Sequence, residues 1–374
     1  MTPVFLFGTM CHGPLFELVA GVPLTAQPAR LPGRRAVWVA GETYPMLTQG
    51  DGADGVADGM IVHLGDAALA RLDFYEACFG YHRETVEVDS VDGPQRATAW
   101  MPASDPGPAG APWSLQDWAR DWGDLSVLAA REVMLCHGRE DPADVGRRFW
   151  MIRARAHAHL TARSWTRPGR VGAGMTLEDV QIEQVRHPYT KFFTVEEIRA
   201  RFRQFGGGWS DPVERAMFHV ADAVTVLPYD PVRDRILLIE QARFGALAHG
   251  DPSPWLLEPV AGMIDAGETP ETSARREAIE EARLDLGAMH FVGRYYPSPG
   301  GIGQVIFSYV AEADLPDGIT GIAGADDEGE DILSHVVPFD DAVALFEGGD
   351  MANAPLMISF QWLMMHRDRL RASA

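Results

Sequence analysis

The chain has 374 residues, more than one ordinary domain and comfortable for two, and 46% of them are apolar, enough for sizeable cores. A formal net charge of -21 argues against polyanionic partners, because nucleic-acid binding needs a basic footprint. Three cysteines, Cys11, Cys78 and Cys136, are odd in number and far apart, so they form neither a disulfide framework nor a zinc pattern.

The chain opens with a strand-like run, Val4-Phe5-Leu6-Phe7, followed by Gly8-Thr9-Met10. This apolar start lacks a basic n-region and is interrupted by Gly8, His12 and Pro14, so it does not read as a signal peptide. No apolar run is long enough to cross a bilayer, and a soluble cytoplasmic protein is expected. Further strands are predicted at Ala36–Val39, Met60–His63 and Thr85–Val88, with a short helix at Ala67–Tyr75. A loop rich in Pro, Gly and Ala, Pro102–Pro112, leads to helical patterns over Leu115–Cys136 and Pro142–Ala162. Trp113, Trp118 and Trp122 recur near helical spacing and read as core packing. His157 and His159 are two apart on a predicted helix and face different ways, which makes them poor metal partners.

Thr166–Gly174, rich in Gly, Arg and Pro, marks a linker, and mixed α/β patterning follows it. Strands are predicted at Ala221–Leu227, Ile236–Gln241, Phe291–Tyr295, Val305–Ala311 and Ile332–Val337, with a turn at Asp230–Asp234. Asp340–Glu347 and Leu356–Arg369 read as helices. Between Trp255–Val260 and the next strand lies the most telling stretch. Thr269 is a candidate N-cap, Pro270 fits the first helical position, and Ala274, Ala278 and Ala282 form a small apolar stripe. Glu277, Glu280 and Glu281 stand at i, i+3 and i+4, which crowds three carboxylates within one turn. Like charges so placed oppose folding unless a cation sits among them. A hard divalent cation takes carboxylate oxygens and phosphate oxygens together, so the spacing points to metal-assisted chemistry on a phosphorylated substrate. Glu268 and Arg276 flank the cluster as an ion pair that would orient it.

Gly262, Glu268, Arg276, Glu277, Ala278, Glu280, Glu281 and Leu284 resemble the Nudix box. Arg283 departs from it, standing where the family has a Gly that ends the helix left-handed; either Arg283 adopts that conformation or the helix runs on toward Gly287. Leu238–Arg243, Trp255–Gly262, Pro297–Gly301, Phe205-Gly206-Gly207 and Asp327–Asp331 are similar to the ADP-ribose pyrophosphatase branch. That resemblance implies a Nudix α/β/α sandwich that hydrolyses ADP-ribose, or a related nucleoside diphosphate sugar, to AMP and ribose 5-phosphate with Mg²⁺, Mn²⁺ being a possible substitute. It implies that the Ala261 carbonyl, Glu277, Glu280, Glu281 and Glu330 hold metal, that Glu328 orients or deprotonates the attacking water, and that Arg243 and Arg215 touch substrate. It also implies a homodimer formed through this domain. Gln304 lies where the family usually carries a Glu, so substrate choice is less fixed than metal chemistry. Gly300-Gly301-Ile302-Gly303 lacks the βαβ context of a dinucleotide-binding turn.

Phe5–Met10, Leu72–Glu76 and Gly80–Arg83 resemble γ-glutamylcyclotransferase-like (AIG2-like) domains, which are small mixed β-barrels with helices. The resemblance implies that Gly8, Thr9 and Met10 present backbone N–H groups to substrate and that Glu76 is the general acid/base. Phe7 replaces the usual Tyr, and Ala77 stands where Gly is common. Bacterial proteins that pair these two domains are associated with tellurite resistance, but no tellurium chemistry is visible in the sequence. The expected organisation is therefore α/β and α+β in two domains, with residues 1–165 cyclotransferase-like, 166–179 a linker and 180–374 Nudix. A bifunctional enzyme and a non-catalytic Nudix-like sensor are the alternatives.

Overall fold

The computed structural model describes residues 1–50, 55–105, 107–166, 171–324 and 331–373. Two compact units divide the chain: Met1–Thr166 with Tyr189–Phe192, and Arg167–Pro188 with Phe193–Ala374.

The first unit runs β1 (Thr2–Leu6), α1 (Gly13–Ala20), β2 (Gln27–Pro32), β3 (Arg34–Val39), β4 (Pro45–Gln49), β5 (Val56–Leu64), α2 (Asp66–Ala77), β6 (Tyr81–Ser90), β7 (Gly93–Pro102) and β8 (Ala109–Pro112). Helices α3 (Leu115–Trp118), α4 (Asp124–Leu135), α5 (Pro142–Arg147) and α6 (Phe149–Arg163) follow. Strands close into a barrel in the order β1-β5-β2-β6-β7, with β1 and β7 parallel through Val4 and Thr98; β4-β3-β8 form a separate small sheet. Inward-facing Phe5, Leu31, Ile61, Val88 and Ala99 fill the barrel. This is the mixed barrel with helices that the sequence led us to expect.

Three predicted elements were refined. Pro14, read as an interruption, occupies the first turn of α1, where a missing N–H costs nothing. The Leu115–Cys136 pattern contains a π-helical turn at Ala119–Gly123, where Gly123 passes close to His12. The Pro142–Ala162 pattern breaks at Arg148, whose guanidinium pairs with Glu140 at 2.7 Å.

In the second unit, β9 (Val180–Thr190, counted here up to Pro188), β10 (Thr194–Phe202), β11 (Val213–His219) and β17 (Ile302–Gly303) make a four-stranded sheet in the order β17-β11-β10-β9. None of β9–β11 was predicted. The main sheet takes β12 (Ala223–Asp230), β13 (Arg235–Ala242), β14 (Trp255–Glu258), β15 (Val260–Met263), β16 (Met289–Tyr295), β18 (Ile306–Glu312), β19 (Ile322–Ala323) and β20 (Ile332–Pro338), with a path of β16-β18-β12-β13-β20-β19. Its helices are α7 (Phe244–His249), α8 (Pro270–Ala282), α9 (Phe339–Gly348) and α10 (Ala354–Ala372).

Parallel pairing of β12 with β18 sets Leu227 opposite Val310 and Val226 opposite Tyr309. The first pair packs with Leu356, Phe360 and Leu363 of α10. Tyr309, on the opposite face, borders Pro270 and Glu271 at the start of α8. The sheet is therefore sandwiched between α8 and α10, as expected.

The end of α8 resolves the Arg283 question. Arg283 takes φ 52° and ψ 38°, and the Leu284 N–H returns to the Ala278 carbonyl at 3.0 Å, so the helix stops there. A side chain in that conformation costs about 1–2 kcal/mol. Arg283→Gly is expected to raise stability by about 0.5–1 kcal/mol, the remainder being lost to the freer unfolded chain. An unchanged or lower urea midpoint would show that the Arg283 side chain repays its strain through contacts of its own.

Candidate functional site

Helix α8 is built as its sequence dictates. The Thr269 hydroxyl accepts from the Thr272 N–H at 3.2 Å, and Pro270 opens the helix. Ala274, Ala278 and Ala282 are buried, which lets the helix lie close against β15 and β12. The carboxylates then separate by environment. Glu281 turns into the sheet, 1% exposed, and accepts from the Ala261 N–H at 2.9 Å. Glu277 lies against Gly262, where a Cβ would fall 1.8 Å from its Oε1, so only glycine leaves that carboxylate room. Glu280 remains more open to solvent.

Arg276 is the cation among them. It donates to Glu277 at 2.7 Å, to Glu280 at 3.0 Å, to both oxygens of Glu268, and to the Met263 carbonyl at 3.1 Å. Burial opposes its charge, yet Glu268 and Glu277 hold its pKa above the ordinary arginine value. Burial likewise works against the Glu268 carboxylate, while Arg276 and the Ser273 hydroxyl hold it below the usual carboxylate range. The expected Glu268–Arg276 pair is present, and Arg276 reaches further than a flanking pair, on to Glu277 and Glu280, where it offsets part of the like-charge repulsion. Among the described residues, no three acidic, histidine or cysteine side chains are already gathered as a metal-binding group.

Arg243 caps α7 and donates to the buried Glu258, with Nε at 2.8 Å. Asn353 donates to the other Glu258 oxygen at 2.9 Å, and its own side-chain oxygen caps α10 through the Leu356 N–H. Glu258, unnoticed in sequence, thus fixes the candidate substrate arginine. Arg215 is exposed on β11 and donates to the Glu214 carbonyl. Gln304 donates to the Ala221 carbonyl at 2.8 Å, so its amide holds main chain. Beside it Asp222, also unnoticed, is buried; burial pushes its carboxyl up to about 6 against the opposing Val305 N–H and Arg294. Glu328 and Glu330 lie outside the described residues.

In the first unit, Gly8 has φ +59°, and a Cβ there would meet Pro45 at 2.5 Å, so the 3₁₀ turn Gly8–Cys11 requires glycine at its head. Gly8, Thr9 and Met10 border a cavity of about 570 Å³ together with Glu76. The sequence-predicted residues of this unit are therefore brought together. Burial pushes the Glu76 carboxyl up to about 8. Trp118 is both core and cavity wall, its indole N–H donating to the Thr43 carbonyl at 2.9 Å.

Each unit has a counterpart among known families. The family described as NUDIX domain matches residues 219–359, and the family described as Gamma-glutamyl cyclotransferase, AIG2-like matches residues 4–120. The ADP-ribose pyrophosphatase of Escherichia coli (strain K12) is 42% identical over 193 residues, which cover 52% of this chain and 91% of that protein. The chain belongs to the Nudix hydrolase family. It is a Nudix pyrophosphohydrolase with an AIG2-like domain at its N-terminus. The ADP-ribose pyrophosphatase of Haemophilus influenzae is 36% identical over 198 residues, covering 52% of this chain and 91% of its own. A GDP-mannose pyrophosphatase of Yersinia pestis is 30% identical over 152 residues, covering 41% of this chain and 75% of its own. A crystal structure of an ADP compounds hydrolase, 23% identical, aligns over 52% of this chain and 98% of its own with a TM-score of 0.39, too low to bear on the assignment.

Proposed function

We propose that the Nudix domain, residues 180–374, hydrolyses the pyrophosphate bond of ADP-ribose to AMP and ribose 5-phosphate with Mg²⁺. The observation that carries this reading is the division of labour on α8. Glu281 is buried and held by the Ala261 N–H, Glu277 is seated on Gly262, and Glu280 stays open to solvent. The ADP-ribose pyrophosphatases at 42% and 36% identity support the choice of substrate.

The donor set fits a hard divalent cation, because it offers only oxygens: the Ala261 carbonyl, Glu277, Glu280, Glu281 and, in the late acidic segment, Glu330. Bound there, Mg²⁺ would supply charge neutralisation on the diphosphate. The chain's residues do the rest. Arg276, tied to Glu268, keeps the carboxylates of α8 oriented. Glu328 orients or deprotonates the attacking water. Arg243, fixed by Glu258, pairs with a phosphate, and Arg215 contacts the substrate from the four-stranded sheet.

That sheet leaves Ile182, Phe202 and Phe218 exposed on β9, β10 and β11, and we assign to it the contact of a homodimer. Among the described residues no helix is long and apolar enough to cross a membrane, and Cys11, Cys78 and Cys136 are free thiols, which supports a cytoplasmic location.

The test is a panel of nucleoside diphosphate compounds with Mg²⁺, scored by product identity. ADP-ribose is expected to give AMP and ribose 5-phosphate at the highest kcat/KM. Preference for GDP-mannose would overturn the substrate, and turnover of nothing on the panel would leave a ligand sensor.

A further inference from the structure

Strand β13 carries one buried polar group that the proposed reaction does not use. Gln241 is 7% exposed, and its Nε2 has no hydrogen-bond partner among the described residues. A buried amide donor left unpaired opposes folding, so native chains keep few of them. For folding alone, an apolar side chain of the same length serves better at this point.

Strand register shows which way the amide faces. Side chains alternate along β13, and Ile236 and Leu238 belong to the core that includes α10. Ile239 and Gln241 therefore face the other side of the sheet, the side that carries α8. Antiparallel pairing sets Ile239 opposite Glu258 and Gln241 opposite Leu256, and directly opposed residues share a face. Arg243 is still extended, with φ -110° and ψ 112°, so the alternation reaches it as well. Its guanidinium donates to Glu258, which confirms the shared face. Gln241 and Arg243 are thus neighbours on one face, about 7 Å apart along the strand.

We propose that Gln241 binds substrate, its amide N–H donating to an oxygen of the diphosphate that pairs with Arg243. The assignment rests on the reading of the second unit as a hydrolase of nucleoside diphosphate compounds. A phosphate group has acceptor oxygens enough for a guanidinium and a neutral amide together, and a poorly hydrated site strengthens both bonds. The unpaired donor is then a property of the substrate-free protein alone, and substrate supplies the missing acceptor. An apolar residue here folds better and binds worse, so stability and substrate affinity should move in opposite directions.

The experiment compares the full chain with Gln241→Met and Gln241→Leu, which remove the donor and differ in shape. Thermal unfolding of the second unit is followed without metal or substrate, and ADP-ribose hydrolysis is measured with Mg²⁺. At least one variant is expected to melt about 2–4 °C higher than the parent. Both are expected to lose at least about tenfold in kcat/KM, chiefly through KM, because the contact already exists in the bound ground state. If both variants melt lower than the parent or fail to fold, the amide has a structural role and the proposal falls. If the parent cleaves ADP-ribose and either folded variant matches its kcat/KM, the proposal falls while the reading of the second unit stands. If the parent does not cleave ADP-ribose, that reading fails and takes the proposal with it.

Discussion

Replacing Glu281 by Gln is expected to lower kcat on ADP-ribose by at least about a hundredfold, a loss of roughly 2.7 kcal/mol of transition-state stabilisation, while the fold survives. Both halves follow from the position of one side chain. Glu281 is buried and its Oε2 accepts from the Ala261 N–H at 2.9 Å. Gln keeps an oxygen at that point, so the buried N–H retains its partner and no cavity opens. What Gln lacks is the charge. A site that stabilises a diphosphate through a cation needs that charge at the ligand position. Three carboxylates crowded within one turn would make the metal-free mutant slightly more stable than the metal-free parent. With Arg276 already seated between Glu277 and Glu280, that gain is expected to be small. Glu281→Ala separates the effects, because it orphans the Ala261 N–H and is expected to cost about 1–3 kcal/mol of stability as well. Stopped assays at saturating Mg²⁺ with urea titrations on both variants check this. Near-normal turnover by folded Glu281→Gln would remove Glu281 from the metal-binding set.

Local signals were legible in the sequence and remote pairings were not. Thr269, Pro270 and the Ala274, Ala278, Ala282 stripe announce α8 because caps and periodicity act within a few residues. The same holds for Gly8, whose backbone conformation no other residue takes cheaply. Strands β9–β11 escaped because they are mostly exposed or half-buried and have almost no fully buried side. Their faces carry ion pairs such as Arg199–Glu183 and Arg186–Glu214, so no alternation of apolar and polar residues marks them. Glu258 and Asp222 escaped for a different reason. A lone acidic residue in an apolar run has no local pattern; Glu258 gains its role only when Arg243 and Asn353 arrive, and Asp222 when the Val305 N–H does.

Replacing Glu76 by Gln is expected to stabilise the first unit, and by more as pH rises. Burial lifts the folded carboxyl to about 8, against an ordinary value of 4.5 in the unfolded chain. Between those values the folded state holds a proton that the unfolded state releases, so stability is full below about pH 4.5 and falls as pH climbs through 8. Each unit of difference is worth about 1.4 kcal/mol, which puts the loss at alkaline pH on the order of 3–5 kcal/mol at most. Gln carries no proton to lose and fills nearly the same volume, so its variant escapes that fall. The check is thermal unfolding of both proteins at pH 5, 7 and 9, following the transition of the first unit. The two curves should lie close together at pH 5 and diverge progressively toward pH 9, with Glu76→Gln the more stable. A gap that stays constant across the three pH values would mean that Glu76 ionises at its ordinary pKa, and the cavity at neutral pH would then hold a carboxylate rather than a neutral donor.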